Sequence, residues 1–351
     1  MKSFTYVSLP SRVIFGAGSV ARLPQEVEKL GAKRALVLST PGRAADVTRL
    51  AATLGERFAG LYDKAVRHVP IEVAEDARRA AKAANADCCV VVGGGSTIGL
   101  GKAIALTTGM PVLAVPTTYS GSEMTWVQGF TEGGRKRTQV DPKMLPKTVI
   151  YDPELTLGLP AATSAASGMN AIAHCVEALY AKEANPIVSL MAEEGIRALA
   201  ASLPLIVRNP KDLEARGEAL YGAWLAGMSL NTGIALHHKL CHTLGGTWNL
   251  PHAETHAIVL PHAVRYNRDA APEAMARIAR ALGAEDAAQG LYDLEVRLGL
   301  KMRLADLGVP AGDLERAAKI ALEAPYPNPA PVTYEGVLAL LRRAHAGLRP
   351  E

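Results

Sequence analysis

Histidines at helical spacing are the residues of this chain best placed to do chemistry. Asn170 and His174 stand four apart in SGMNAIAHCVEALY, His238 and His242 stand four apart in LHHKLCHTLGG, and His252 follows in NLPHAETHA. Residues at i and i+4 share one face of a helix, so two such pairs and a nearby His can gather around one point. With Asp at 170 the set would read as a carboxylate plus three imidazoles closing on a divalent transition metal. Position 170 is Asn, whose amide oxygen is a neutral and weaker donor. His237 steps about 100° around the helix from His238 and is expected outside the cluster. His256 and His262 are expected to support or pack, and His68 and His345 to lie at the surface.

A second constellation is VVVGGGSTIGLGKAIAL, an apolar run entering Gly93, Gly94, Gly95, Ser96 and Thr97 before a helix. Glycine lets backbone amides approach a phosphate, and a helix N-terminus adds positive potential there. The spacing is not GxGxxG, and a tight strand–helix turn without ligand is the plain alternative. A third is VPTTYSGSE, where Thr117, Thr118, Ser120 and Ser122 place hydroxyls after another apolar run. A loop there lies at the carboxyl end of a parallel sheet, where open α/β sheets bind ligands. A capped turn is its plain alternative.

The elements that must position these residues fall into two parts. RVIF (12–15), ALVLST (35–40), AGLYDKAV (59–66), DCCVVV (87–92), PVLAVPTTY (111–119) and TVIY (148–151) read as strands. Helical stretches alternate with them, including one over 44–58 and one over 73–86. Such alternation predicts a parallel sheet with helices on both faces. From about Ser164 every strong pattern is helical. The sequence therefore predicts a Rossmann-like nucleotide-binding α/β domain over 1–153 and an all-helical catalytic domain over 154–351.

Composition narrows the function. The chain has 351 residues, 49% of them apolar, and its net charge of +4 is spread without long runs. That argues against a nucleic-acid partner, which favours a concentrated basic stripe. It is compatible with a small anionic substrate. Four cysteines form no CxxC pair, and nothing points to an oxidising compartment. The N-terminal stretch lacks the apolar core of a signal peptide, and no run of about 20 apolar residues predicts a membrane span. A cytoplasmic enzyme is the expectation.

Taken together these segments resemble the iron-containing alcohol dehydrogenase superfamily over nearly the whole chain. Within it the likeness is greatest to the maleylacetate reductase branch, through GGGSTIGLGKAIAL, PTTYSGSEMT, LPKTVIYDPELTLGLP, LHHKLCHTLGGTWNLPHAETH and PYPNP. The resemblance implies a dehydroquinate synthase-like architecture with the active site in a cleft between the two domains. It places the four metal-ligand positions on Asn170, His174, His238 and His252. It puts the pyrophosphate loop on Gly93 to Ser96, the nicotinamide-side hydroxyls near Thr117 and Thr118, and a cofactor-facing lysine on Lys136. NAD-preferring relatives often carry Asp at the position of Thr40, which repels a 2′-phosphate. Thr40 lacks that repulsion, so NADH or NADPH is expected to serve. A homodimer is expected too, through the edge strand RVIF.

The implied substrate is maleylacetate, a small dianion with a ketone conjugated to an alkene. Hydride addition to the alkene carbon β to the ketone develops an enolate, which needs a donor aimed at its oxygen. Clustered imidazoles oppose one another's protonation, and a bound dianion favours it. His238 and His242 are the expected donors, His174 and His252 complete the pocket, and Tyr119 and Asn170 add hydrogen bonds. A metal is expected not to be required. The rivals are a metal-dependent alcohol dehydrogenase and a dehydroquinate-synthase-like lyase.

Overall fold

The computed structural model describes Phe4, residues 6–9, 11–67, 69–132 and 135–351, with no side chains over 130–137. His68 therefore lies outside the described residues. The chain forms two compact units, one over Val7–Leu159 and one over Pro160–Glu351 together with the described N-terminal residues up to Tyr6.

The first unit is built on six parallel strands: β1 (Arg12–Phe15), β2 (Ala35–Leu38), β3 (Phe58–Tyr62), β4 (Cys88–Gly93), β5 (Val112–Pro116) and β8 (Thr148–Tyr151). Their spatial order is β1-β8-β5-β4-β2-β3. ALVL, CCVVVG, VLAVP and TVIY are buried along their whole lengths, as parallel strands covered on both faces must be. Helices α1 (Leu23–Lys29), α2 (Ala44–Ala52), α3 (Ile71–Ala83) and α4 (Gly95–Thr108) connect them. The chain moves outward from β2 to β3, returns to β4, and builds away in the other direction through β5 and β8. The order thus reverses between β2 and β4, and Thr40 and the glycines follow the carboxyl ends of those two strands. That is where open sheets of this kind bind ligands.

Three expectations for this unit change. The helix over 44–58 stops at Ala52; a 3-10 turn at Gly55–Arg57 follows, and Phe58 opens β3. An antiparallel hairpin, β6 (Val127–Glu132) with β7 (Arg135–Val140), interrupts the α/β alternation. The unit also ends at Leu159, six residues past the expected boundary at 153. Asp152 explains why. Its carboxylate accepts Gly18 N at 3.2 Å, Val20 N at 3.0 Å and Glu154 N at 3.0 Å, tying the Pro153–Thr156 turn to the start of the sheet. Leu155 packs on the sheet's core beside Ile14 and Ile150.

The second unit is helical: α5 (Ala161–Tyr180), α6 (Pro186–Arg208), α7 (Leu213–Ser229), α8 (Leu236–Trp248), α9 (His252–Asn267), α10 (Pro272–Leu282), α11 (Ala287–Arg297), α12 (Leu314–Ala321) and α13 (Tyr334–Ala346). Leu236, Leu240 and Leu244 of α8 meet Ile258, Val259 and Ala263 of α9 in one core with α12 and α13. α5 is buried through most of its length, so its polar residues face protein.

Candidate active site

In the first unit, β4 runs into Gly93 and Gly94, and α4 begins at Gly95. Gly94 is the N-cap of α4 and has no side chain to cap it. An uncapped helix start at the carboxyl edge of a parallel sheet leaves amides for an anion. Thr117 N donates to Gly93 O at 3.1 Å, joining the ends of β4 and β5. A Cβ on Gly94 would lie 2.8 Å from Thr118 Oγ1, and one on Gly95 would lie 3.7 Å from Ser120 Cβ. The glycine loop and the hydroxyl loop therefore form one surface, including Gly93, Gly94, Gly95, Ser96, Thr118 and Ser120. Thr97 and Thr117 are buried beneath it. This cradle fits a pyrophosphate.

Thr40 follows β2 and leads a 3-10 turn, its carbonyl accepting Arg43 N at 3.1 Å. It is half-buried at the sheet's carboxyl end. Lys136 lies on β7, and its side chain is outside the described residues. Tyr119 belongs to the hydroxyl loop and is fully buried there.

In the second unit three helices bring the histidines together. α5 presents Asn170, His174 and Glu177 at i, i+4 and i+7; α8 presents His237, His238, Cys241 and His242; α9 begins with His252 and presents His256 one turn later. Ring centroids of His174 and His238 are 5.2 Å apart and stacked. His238 is 6.1 Å from His242, and His242 is 6.5 Å from His252.

His237 and His256 belong to this cluster, against expectation. The His237 ring lies 5.1 Å from that of His238 and 4.8 Å from that of His256. His256 is also 4.9 Å from His238 and 4.1 Å from His252. The 100° step that turns His237 away from His238 turns it toward α9, so both faces of α8 are used. His262 is buried on α9 away from these ring contacts, and burial draws its pKa down to about 4. His345, expected at the surface, is half-buried with Nε2 2.9 Å from the Val309 carbonyl.

Glu177 is the residue that sequence reasoning missed. It is fully buried and accepts Ala235 N and His237 N, each at 2.8 Å, so it caps α8. Its Oε2 also lies 2.6 Å from His238 Nδ1. With Glu177 ionised its carboxylate accepts, so Nδ1 of His238 carries the hydrogen and Nε2 the lone pair. His237 Nε2 donates to the His256 carbonyl at 2.9 Å, which leaves its Nδ1 bare. Burial pushes the Glu177 carboxyl upward, and neighbouring His237 and the backbone amides oppose it. Burial holds His174 and His256 well below the ordinary histidine range, and draws His237 down to about 4. Those three stay neutral at neutral pH. His238 faces Glu177, and His242 and His252 are less buried than the other rings.

Family models match most of the chain. Residues 10–153 match the iron-containing alcohol dehydrogenase model and residues 164–345 match the C-terminal model of the Fe-containing alcohol dehydrogenase family. The chain is 58% identical over 348 residues to a maleylacetate reductase of Sphingobium indicum, covering 99% of each chain. It is 54% identical over 351 residues to one of Burkholderia cepacia, covering all of each. The chain belongs to the maleylacetate reductase branch of the iron-containing alcohol dehydrogenases. A solved maleylacetate reductase of Agrobacterium tumefaciens superposes with a TM-score of 0.96 at 51% identity, covering all of each chain.

The family's name implies iron, and the four expected positions do not form a prepared cation site. Asn170 supplies a dipole in place of a charge. A ligating imidazole normally donates its second nitrogen to a fixed acceptor; His238 has Glu177, but His174 Nδ1 is buried without a hydrogen-bond partner. Imidazoles on one tetrahedral metal, each about 2.1 Å from it, place their ligand atoms little more than 3 Å apart. Among the described residues, two groups of three bring such atoms within 4.8 Å: His237, Cys241 and His256, and Glu177, His237 and His238. Neither contains His174 or His252.

Proposed function

We propose that this protein reduces the conjugated double bond of maleylacetate to 3-oxoadipate, using NADH or NADPH. The observation that carries this reading is end-to-end identity above one half with curated maleylacetate reductases. Bound nicotinamide supplies the hydride. The uncapped start of α4 and Gly93 to Ser96 hold its pyrophosphate, with Thr118 and Ser120 beside them. Thr40 faces the ribose and adds no charge against a 2′-phosphate.

The chain's own task is the enolate. Hydride addition leaves negative charge on the ketone oxygen, which a preorganised donor stabilises. His238 is the best-supported candidate, because Glu177 fixes its tautomer. His242 and His252 carry the proton to the carbon next to the ketone, and Asn170 adds a hydrogen bond. This assignment needs no metal, and Asn170 supports a metal-free reading by withholding the charge that a cation site would use. The conjugated substrate asks for enolate stabilisation alone.

Two further elements of the proposal concern setting. β1 is an outer strand of its sheet, and Phe15 on it is exposed; edge pairing there suits a homodimer. No helix among the described residues is long and apolar enough to cross a membrane, and a cytoplasmic enzyme is the reading we adopt. The test is NADH oxidation with maleylacetate, run beside simple alcohols and with or without chelator. Turnover of alcohols but not maleylacetate would sink the assignment.

A further inference from the structure

The loop after β5 lies along one face of α4. Gly95, Gly99 and Lys102 are spaced i, i+4 and i+7, on one side of that helix. Where Gly95 meets Ser120, Gly99 meets Gln128: a Cβ there would lie 2.6 Å from Gln128 Nε2. Lys102 closes the face and is fully buried. Its Nζ reaches Ser122 O at 2.6 Å, Thr125 Oγ1 at 2.8 Å, Val127 O at 2.9 Å and Ser122 Oγ at 3.1 Å. An ammonium has three hydrogens, so all of its bonding capacity is spent on residues 122–127. Glu123, between them, accepts Tyr151 Oη–H at 2.8 Å and Ser120 Oγ–H at 3.3 Å, tying the same segment to β8. A buried charge held this completely is costly to build, and nothing in the fold of α4 itself asks for it.

We propose that Lys102 is a positioning residue for the cofactor. It locks the Thr117–Val127 segment, with its hydroxyls, onto the helix whose start receives the pyrophosphate, so both halves of the dinucleotide meet one rigid surface. The proposal rests on the dinucleotide reading of that helix. Lys102 touches no cofactor atom; it acts through Ser122, Thr125 and Val127. Burial, opposed by Glu123, draws its pKa down to about 7, so its charge depends on the oxygens of residues 122–127 that surround it.

The experiment titrates wild type, Lys102→Met, Lys102→Arg and Thr125→Val with ADP and with NADH. ADP probes the phosphate half and NADH probes both halves. Lys102→Met is expected to leave the ADP Kd within about threefold and to raise the NADH Kd about tenfold or more, since small misplacements carry large effects. Thr125→Val, which removes one acceptor, should shift the NADH Kd in the same direction by less, and Lys102→Arg should recover part of the loss. If ADP and NADH weaken together, or neither changes, Lys102 is only a structural lysine and the proposal fails. Should Lys102→Met not fold, Thr125→Val decides by the same comparison. A wild type that binds neither ligand removes the dinucleotide reading, and the proposal with it.

Discussion

Glu177 binds His238 twice over: its carboxylate takes the Nδ1 hydrogen at 2.6 Å and also accepts the amides that open the helix carrying that ring. Ring orientation and helix position are thus set by one buried side chain. Glu177→Gln must present an amide hydrogen to donors that already fill the site. We expect kcat with maleylacetate to fall about 10- to 100-fold, the usual scale for losing the partner that orients a working imidazole. Cofactor affinity should not change. Steady-state kinetics with NADH titration by fluorescence checks both, and an unchanged kcat would remove Glu177 from the mechanism.

The spacing of Asn170, His174, His238 and His242 was readable because helices α5 and α8 obey simple periodicity. Glu177 continues the same face as Asn170 and His174, yet a lone Glu on a helix ordinarily faces water. Only the arrival of the first residues of α8 makes it a cap. A one-sided reading of α8 puts His237 outside the cluster, but α9 covers the other side of that helix. The β6–β7 hairpin had a signal in Gly133-Gly134 between two alternating runs, masked by the charges around it. Lys102 reads as an ordinary helix residue until the loop that folds over it is known.

The phosphate role of the α4 start is best tested at Gly95. Gly94→Asp would be ambiguous, because any Cβ there meets Thr118 at 2.8 Å. At Gly95 the nearest side-chain atom is 3.7 Å away, so Gly95→Ala should leave the NADH Kd within about threefold. Gly95→Asp places a carboxylate against the pyrophosphate and should weaken NADH more than about tenfold. Equal effects of the two substitutions would argue for sterics and against an anion site.

Thr40→Asp should lower the NADPH to NADH ratio of kcat/KM by repelling the 2′-phosphate. Its place after β2, beside the strand that feeds the glycine loop, is what makes the test specific. A ratio that does not fall would move the ribose elsewhere.

Glu295 is fully buried on α11, and neither carboxyl oxygen has a hydrogen-bond partner. Burial raises its pKa well above the usual value of 4.5. The folded state therefore favours the protonated form. The stability linked to that preference is complete below the unfolded pKa and is lost as pH rises through the folded one. Glu295→Gln cannot ionise, so its Tm relative to wild type should climb between pH 5 and pH 8. Calorimetry across that range checks this, and a constant difference would show that Glu295 keeps the same charge in both states.

The last prediction concerns the missing acid at 170. A carboxylate brings a full negative charge to a divalent cation, and Asn170 brings only a dipole. Three neutral imidazoles can still hold zinc, so Asn170 alone does not exclude a metal. What it changes is the balance between two uses of the same rings. As ligands, the imidazoles would spend their lone pairs on the cation and could not carry protons. As donors, they need the freedom that Asn170 leaves them, with Glu177 steadying His238. Activity with maleylacetate should survive exhaustive chelation. Asn170→Asp should raise zinc or iron content in the purified protein while lowering kcat, by fixing His174, His238 and His252 as ligands. His238→Ala should lower kcat by on the order of a hundredfold, the scale of a lost acid or oxyanion donor. Metal analysis and turnover on the same samples join the two readouts. If chelation abolishes turnover and iron or zinc restores it, the imidazoles are ligands in the native enzyme, and alcohol-dehydrogenase chemistry becomes the better account.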